Sequence, residues 1–135
     1  MSSLLITNCR LYDVPTEAPL RSILIRDGVI ERIGDAAPSP LADRVLDAGG
    51  RVAAPGFIEI HIQGAGGADV LDATPEALQT ISQTCARFGV SGFLATTVYK
   101  RGQRNAHLRL AAECTGRDLG GAQLLGTHLE GPFIS

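Results

Sequence analysis

No apolar run approaches the roughly 20 residues that a membrane-spanning helix needs. The first residues also lack a cationic segment followed by an apolar core, so neither a membrane span nor secretion is signalled. Cysteine is scarce. Cys9, Cys85 and Cys114 are odd in number and far apart, and no C-x-x-C pair exists, which argues against a zinc ribbon or a redox pair. Cys85 and Cys114 fall within helical patterns and read as small buried hydrophobes; a reducing cytoplasm suits all three. Excess positive charge is missing too. With 12 Lys and Arg against 14 Asp and Glu, the formal net charge is −2, and scattered bases such as Arg10, Arg21, Arg26 and Arg32 form no stripe to neutralise phosphates. Nucleic acid is therefore not expected as a partner. Beyond a βα alternation there are no internal repeats, no low-complexity segment, and neither a P-loop nor a G-x-G-x-x-G motif. What remains, 44% hydrophobic and 19% charged over 135 residues, is a globular composition long enough to bury a core.

The first fifty residues read as short strands. Ser3 to Leu11 predicts a strand and Pro15 to Pro19 a loop. Ser22 to Arg26 and Val29 to Ile33 flank Asp27-Gly28, a strong hairpin signal because a type I′ turn needs positive φ at both central positions. Pro38 to Pro40 predicts another loop, and Arg44 to Asp47 a short strand ending at Gly49-Gly50. The expectation is an all-β unit over residues 1–54.

From residue 55 to residue 135 the pattern changes. Phe57 to Gln63 alternates, with Ile58, Ile60 and Ile62 on one face and Glu59, His61 and Gln63 on the other. Thr74 as N-cap, Pro75 at the first helical position and Glu76 in the first turn open a helix. Leu78, Ile81, Cys85 and Phe88 form its apolar stripe, and Gly89 is placed to cap its end. Val90 to Val98 is a nearly continuous apolar run, as in a strand buried on both faces. A weaker helix spans about Gln103 to Thr115 with Leu108, Ala111 and Ala112 on one side, and Ala122 to Glu130 is a third buried strand. Strand, helix, strand, helix, strand reads as parallel βα units. Three units close nothing, whereas a closed barrel needs eight, so the chain is expected to be the first portion of a larger protein.

Candidate chemistry lies on two strand faces. Glu59, His61 and Gln63 are either the solvent side of a half-exposed strand or an inner face of the βα series, where buried polar groups need partners. Imidazole is the commonest transition-metal ligand; a His-x-His pair would signal metal strongly, and His-x-Gln does so less, since an amide is a poor zinc ligand. At the other end, His128 and Glu130 are two apart on a strand and share a face, just before the Gly131-Pro132 corner. Either Glu130 caps or salt-bridges near the loop beside a satisfied core histidine, or Glu130 and His61 meet from two strands as a divalent-metal site. The Gly64-Ala-Gly-Gly67 loop either cradles an anion with backbone N–H groups or lets the chain turn sharply. Asp69 and Asp72 read as a loop charge and a pre-helix residue, and His107 as a solvated residue on an exposed part of the weak helix.

Several of these segments together resemble the amidohydrolase superfamily. Asp47-Ala-Gly-Gly-Arg-Val-Ala-Ala-Pro-Gly-Phe-Ile-Glu-Ile-His-Ile-Gln63 is similar to the run that leads into its first barrel strand. Gly64-Ala-Gly-Gly-Ala-Asp69 and Gly126-Thr-His-Leu-Glu-Gly-Pro-Phe-Ile-Ser135 look like its N-acetylglucosamine-6-phosphate deacetylase family. The resemblance implies an α/β fold: a small N-terminal β-sandwich portion over residues 1–54, then the first three βα units of an incomplete (β/α)8 TIM-like barrel over residues 55–135. It implies that Glu130 ligates a catalytic divalent metal, zinc foremost with iron, manganese or cobalt as alternatives. His61 matches the first histidine of the superfamily's His-x-His, Gln63 replaces the second, and Glu59 stands where Asp is usual. The catalytic base and further histidine ligands are expected downstream of residue 135, so no catalytic residue is assigned here and these residues alone are expected to be inactive. The implied reaction removes the N-acetyl group from N-acetylglucosamine 6-phosphate, giving glucosamine 6-phosphate and acetate in cytoplasmic amino-sugar catabolism. The implied partner is a small amino sugar phosphate, with neither nucleic acid nor membrane, and the full-length enzyme is expected to be a homodimer. The competing readings are another amidohydrolase acting on a cyclic amide or acylamino substrate, and a non-enzymatic truncation or assembly module.

Overall fold

The computed structural model describes residues 2–35 and 42–131. The loop expected at Pro38 to Pro40, and the corner and helix lead-in expected from Pro132 to Ser135, lie outside the described residues. The chain separates into two compact units, Met1–Pro55 and Gly56–Ser135.

The first unit is built on β1 (Ser3–Leu11), β2 (Arg21–Arg26), β3 (Val29–Gly34), β4 (Arg44–Asp47) and β5 (Val52–Ala53). Its sheet runs β3-β2-β1-β4, with β5 also pairing β1. The β1–β2 and β2–β3 pairs are antiparallel, while β4 and β5 lie parallel to β1. Asp27 and Gly28 have φ of 48° and 80°, so the hairpin takes the primed turn that matches strand twist. Pairing of β1 slips between Ile6 and Cys9, around Asn8, which adopts φ 52° and whose Nδ2 donates to Asp47 Oδ1 at 3.0 Å. Asn tolerates that backbone better than other L-residues. Leu5, Cys9, Ile23 and Leu24 are buried; Val29, Ile30, Ile33, Val45, Leu46 and Val52 are exposed.

The second unit contains β6 (Phe57–Ile62), the short hairpin β7 (Gly64–Ala65) and β8 (Ala68–Asp69), and a one-turn 3₁₀ helix, Val70–Asp72. α1 (Pro75–Arg87), β9 (Val90–Thr97), α2 (Ala106–Cys114) and β10 (Gln123–Leu129) follow. β6, β9 and β10 form a parallel sheet ordered β10-β9-β6, two consecutive βαβ units with β9 in the middle. The central place of β9 explains its unbroken apolar sequence. Phe93 and Ala95 are fully buried in a cluster with Leu78, Ile81 and Cys85 of α1, Ala111 and Cys114 of α2, and Leu124 of β10. Burying a side chain the size of Phe93 or Ile81 stabilises the fold by about 1.5–3 kcal/mol.

α1 starts where its caps direct: Thr74 Oγ1 accepts the Ala77 N–H at 3.2 Å, and Pro75 occupies the first turn. Its buried face carries Leu78, Ile81 and Cys85, but Phe88 is 79% exposed because it is the C-cap residue, already out of helical register, with Gly89 at φ 81° behind it. α2 differs more. It begins at Ala106, since Asn105 adopts φ 47° and its side chain is tied to Lys100 N, Lys100 O and Gln103 O. Its buried face is His107, Ala111 and Cys114, while Ala112 is exposed. The expected solvated His107 is therefore corrected: the ring is 7% exposed and its Nε2–H donates to Val98 O at 3.0 Å. β10 departs from the expected buried strand as well. It is an outer strand, with Leu124 buried and Leu125 and Leu129 exposed. Ser82 Oγ donates to Ala122 O at 2.7 Å and the Ala122 N–H returns to Ser82 O at 3.0 Å, pinning α1 to the entrance of β10. Among the described residues no helix is long and apolar enough to cross a membrane.

Candidate active site

Parallel strands of a βα series deliver their C-terminal residues to one end of the sheet, which is where such folds collect polar side chains. Here that end holds Gln63 just past β6, Thr96 and Thr97 at the end of β9, and His128 and Glu130 at the end of β10. β6 and β10 are both outer strands, yet their side chains meet. Gln63 Nε2 donates to Glu130 Oε2 at 2.7 Å, and His61 Nε2 lies 3.5 Å from the same oxygen. His128 Nδ1–H donates to Ile60 O, on the far strand, at 2.8 Å. The His61 and His128 rings stand edge to face with centroids 5.0 Å apart. A donating Nδ1 leaves the Nε2 lone pair of the neutral His128 ring available.

The structure thus brings together four of the five polar residues singled out on the two strands. Glu59 is the exception. β6 slips register against β9 between Glu59 and Ile62, so strict alternation is interrupted there. Glu59 Oε1 accepts the His61 backbone N–H at 2.9 Å. Its charge acts instead on Cys85: burial foremost, then Glu59, push that thiol above its ordinary range, in keeping with an inert core cysteine.

The glycine loop makes a sharp turn. Gly64 pairs with Asp69 and Ala65 with Ala68, so Gly66 and Gly67, at φ 65° and 86°, are the two central residues of a tight hairpin. The next two acidic residues also have local work: Asp69 Oδ1 accepts the Leu71 N–H at 2.7 Å and Asp72 Oδ2 accepts the Asp69 N–H at 2.9 Å, a reciprocal cap on the 3₁₀ turn.

Two residues at this end escaped the sequence reading. Thr96 and Thr97 are 1% and 3% exposed, and among the described residues neither hydroxyl oxygen has a hydrogen-bond partner. Both line a cavity of about 30 Å³ with Gln63, Leu71 and Val98, room for a single water. Buried hydroxyls without partners are costly. Their signal was present as a polar pair closing the otherwise apolar Val90 to Val98 run.

A divalent metal of this kind asks for about four N, O or S donors. Among the described residues no three His, Cys, Asp or Glu side chains converge tightly enough to enclose an ion. Glu130 and His61 nevertheless form a carboxylate–imidazole pair of the right chemistry at a strand end, and the orphaned hydroxyls mark the same end as polar. The residues present fit one side of a metal shell.

No family model matches the chain. Among curated proteins it is 38% identical over 116 residues to an N-acetylglucosamine-6-phosphate deacetylase of Bacillus subtilis, an alignment covering 82% of this chain and 29% of that protein. The chain is a relative of the N-acetylglucosamine-6-phosphate deacetylases. An N-acetylgalactosamine-6-phosphate deacetylase of Escherichia coli O157:H7 is 36% identical over 112 residues, covering 82% of this chain and 28% of that one. The fold agrees: the crystal structure of the deacetylase from Pasteurella multocida superposes with a TM-score of 0.80 at 22% identity, over 98% of this chain and 35% of that one. The α/β arrangement thus matches the N-terminal part of such a deacetylase, and the chain spans under a third of the length of the two curated deacetylases.

Proposed function

We propose that this chain supplies one wall of the active site of a metal-dependent deacetylase that hydrolyses N-acetylglucosamine 6-phosphate to glucosamine 6-phosphate and acetate. In this reading the two βαβ units are the first three strands of a (β/α)8 barrel, and residues 1–54 are part of an accompanying β-sandwich. The observation that carries the proposal is Glu130, delivered by the third parallel strand to within 3.5 Å of His61 Nε2 and held by Gln63.

Glu130 and His61 would hold the divalent metal, with zinc favoured by the carboxylate–imidazole donors and iron, manganese and cobalt compatible with them. When bound, such an ion lowers the pKa of a coordinated water and polarises the acetyl carbonyl. The chain's own contribution is orientation. Gln63 fixes the Glu130 carboxylate, and the His128–Ile60 bond holds the second imidazole edge to face with the first. The base that takes the water's proton is assigned to no residue of this chain. A cytoplasmic homodimer acting on a small amino sugar phosphate completes the proposal.

The galactosamine relative matches almost as well as the glucosamine one, so the C4 epimer is a specific second reading. The test is acetate release by the intact gene product from both N-acetylhexosamine 6-phosphates, with ring opening of a hydantoin to its N-carbamoyl amino acid followed in parallel. Turnover of the glucosamine compound should dominate, vanish with a chelator, and fall on the order of 100-fold or more in Glu130→Gln. Preference for the galactosamine epimer would change the substrate, hydantoin cleavage would shift the chain to the cyclic-amide branch, and no turnover by the metal-loaded product would overturn the enzyme reading.

A further inference from the structure

We propose that the cavity at the end of β9 is a buried-water site, in which one water molecule bridges the Thr96 hydroxyl and the amide oxygen of Gln63. It depends on neither the deacetylase nor the metal reading. Thr96 is 1% exposed, and among the described residues its Oγ1 has no hydrogen-bond partner. It lines the cavity of about 30 Å³ with Gln63, Leu71, Thr97 and Val98. A single water needs about 10–15 Å³ of such space and at least two polar partners.

Strand parity identifies those partners. β9 sets Thr96 opposite His128 of β10, and Ala95 opposite Ile62 of β6. Gln63 follows Ile62, so it shares the Thr96 face, as do His128 and Glu130. Thr97 shares the opposite face with Ala95, which packs in the helix-covered core. The Gln63 amide has one sensible orientation. An ionised carboxylate only accepts, so Nε2 donates to Glu130 Oε2 at 2.7 Å and Oε1 is turned away. Among the described residues no hydrogen bond reaches that amide oxygen. A hydroxyl in need of an acceptor and a carbonyl in need of a donor thus border the same small space. Water supplies both roles at once. Apolar cavities stay dry, whereas buried polar groups otherwise left unsatisfied hold water. Immobilising the molecule costs less than leaving the hydroxyl unsatisfied. The bridge also ties β9 to Gln63, and through Gln63 to Glu130 past β10, so one polar chain crosses all three strands at this end of the sheet.

The experiment is a crystal structure of the intact gene product and of its Thr96→Val, Thr96→Ser and Thr97→Val variants, with a thermal melt of each. The wild-type protein should show an ordered water within about 2.5–3.2 Å of both Thr96 Oγ1 and Gln63 Oε1. Thr96→Ser keeps a hydroxyl and should keep that water. Thr96→Val preserves the shape of the side chain, so it should lose the water and melt about 2–4 °C lower. Without a water the sign reverses: valine would relieve an orphaned hydroxyl, and the variant would melt at or above the parent temperature. That result, or a wild-type cavity without an ordered water, would overturn the proposal. A water bonded to Thr97 in place of Thr96, with only Thr97→Val lowering the melt, would overturn the assignment of its anchor. Should Thr96→Val fail to fold, the wild-type and Thr96→Ser structures still decide the matter.

Discussion

At the scale of single residues, the most sharply defined charges lie away from the candidate site, in the first unit. Asp43 Oδ2 accepts both the hydroxyl and the backbone N–H of Ser3, at 2.7 and 2.8 Å, and these bonds hold its carboxyl below the ordinary 3.8. Asp47 Oδ1 accepts the Gly49 N–H at 2.9 Å and Asn8 Nδ2 at 3.0 Å, and is likewise held below 3.8. A folded-state pKa below the unfolded one contributes stability that is complete above the unfolded value and disappears as pH falls through the folded one. Both groups are exposed, so each contribution is small, but together they fasten β1 to β4 and to the turn after it. Acid should therefore weaken this unit below about pH 4. Asp47→Asn keeps the size and loses the charge, so its stability should fall less steeply in that range. Urea midpoints measured from pH 6 to pH 2.5 decide the matter: identical acid slopes for the variant and the parent would show that Asp47 carries no such linkage.

Elements show which parts of the fold were legible in the sequence and which were not. The Asp27-Gly28 hairpin and the start of α1 were readable because their signals are local: φ preferences in one case, a Thr74 cap and Pro75 in the other. α2 was misread by three residues at its start and by its buried face, because Asn105 spends its side chain on the Lys100 loop and the helix turns His107 toward Val98 O. Nothing local announces that choice. At the site, His61, Gln63, His128 and Glu130 were legible from strand parity, whereas Glu59 was not, since the slip in β6 arises from its pairing with β9. Thr96 and Thr97 stayed hidden inside an apolar run. One tertiary joint of this kind can be tested directly. A Cβ added at Gly121 would lie 2.5 Å from Ser82 O and 2.7 Å from Gln83 N, both backbone atoms of α1. Neither can step aside without moving the helix, and the paired Ser82–Ala122 bonds depend on the same approach. Gly121→Ala should cost about 1–3 kcal/mol, the range for forced overpacking. A melt of the variant within 1 °C of the parent would show that α1 and β10 are less tightly joined than their geometry states.

At the scale of the whole molecule, the feature that matters is how much apolar strand surface the 135 residues leave uncovered. Parallel sheets are normally covered on both faces and flanked on both sides. Among the described residues of the second unit β6 and β10 each have one neighbour, and Phe57, Ile58 and Ile60 of β6 are 73%, 61% and 63% exposed. Leu125 and Leu129 of β10 are exposed too, and the first unit leaves Val29, Ile30 and Ile33 of β3 uncovered. Outer strands with free N–H and C=O groups pair with whatever strand they meet. A polypeptide of these 135 residues should therefore self-associate at micromolar concentration. The chemistry is limited in a similar way, because a carboxylate and an imidazole on one side of an ion bind it far more weakly than a four-donor shell. Sedimentation of this polypeptide should show oligomers or aggregate, and its zinc-loaded form should release no acetate from N-acetylglucosamine 6-phosphate. A monodisperse monomer with a sharp, cooperative melt would mean that the exposed isoleucines of β6 need no neighbour, and the barrel reading would fall. Metal-dependent turnover by the same polypeptide would mean that Glu130, His61 and His128 suffice for the reaction, and a base would then have to be sought among the residues already described.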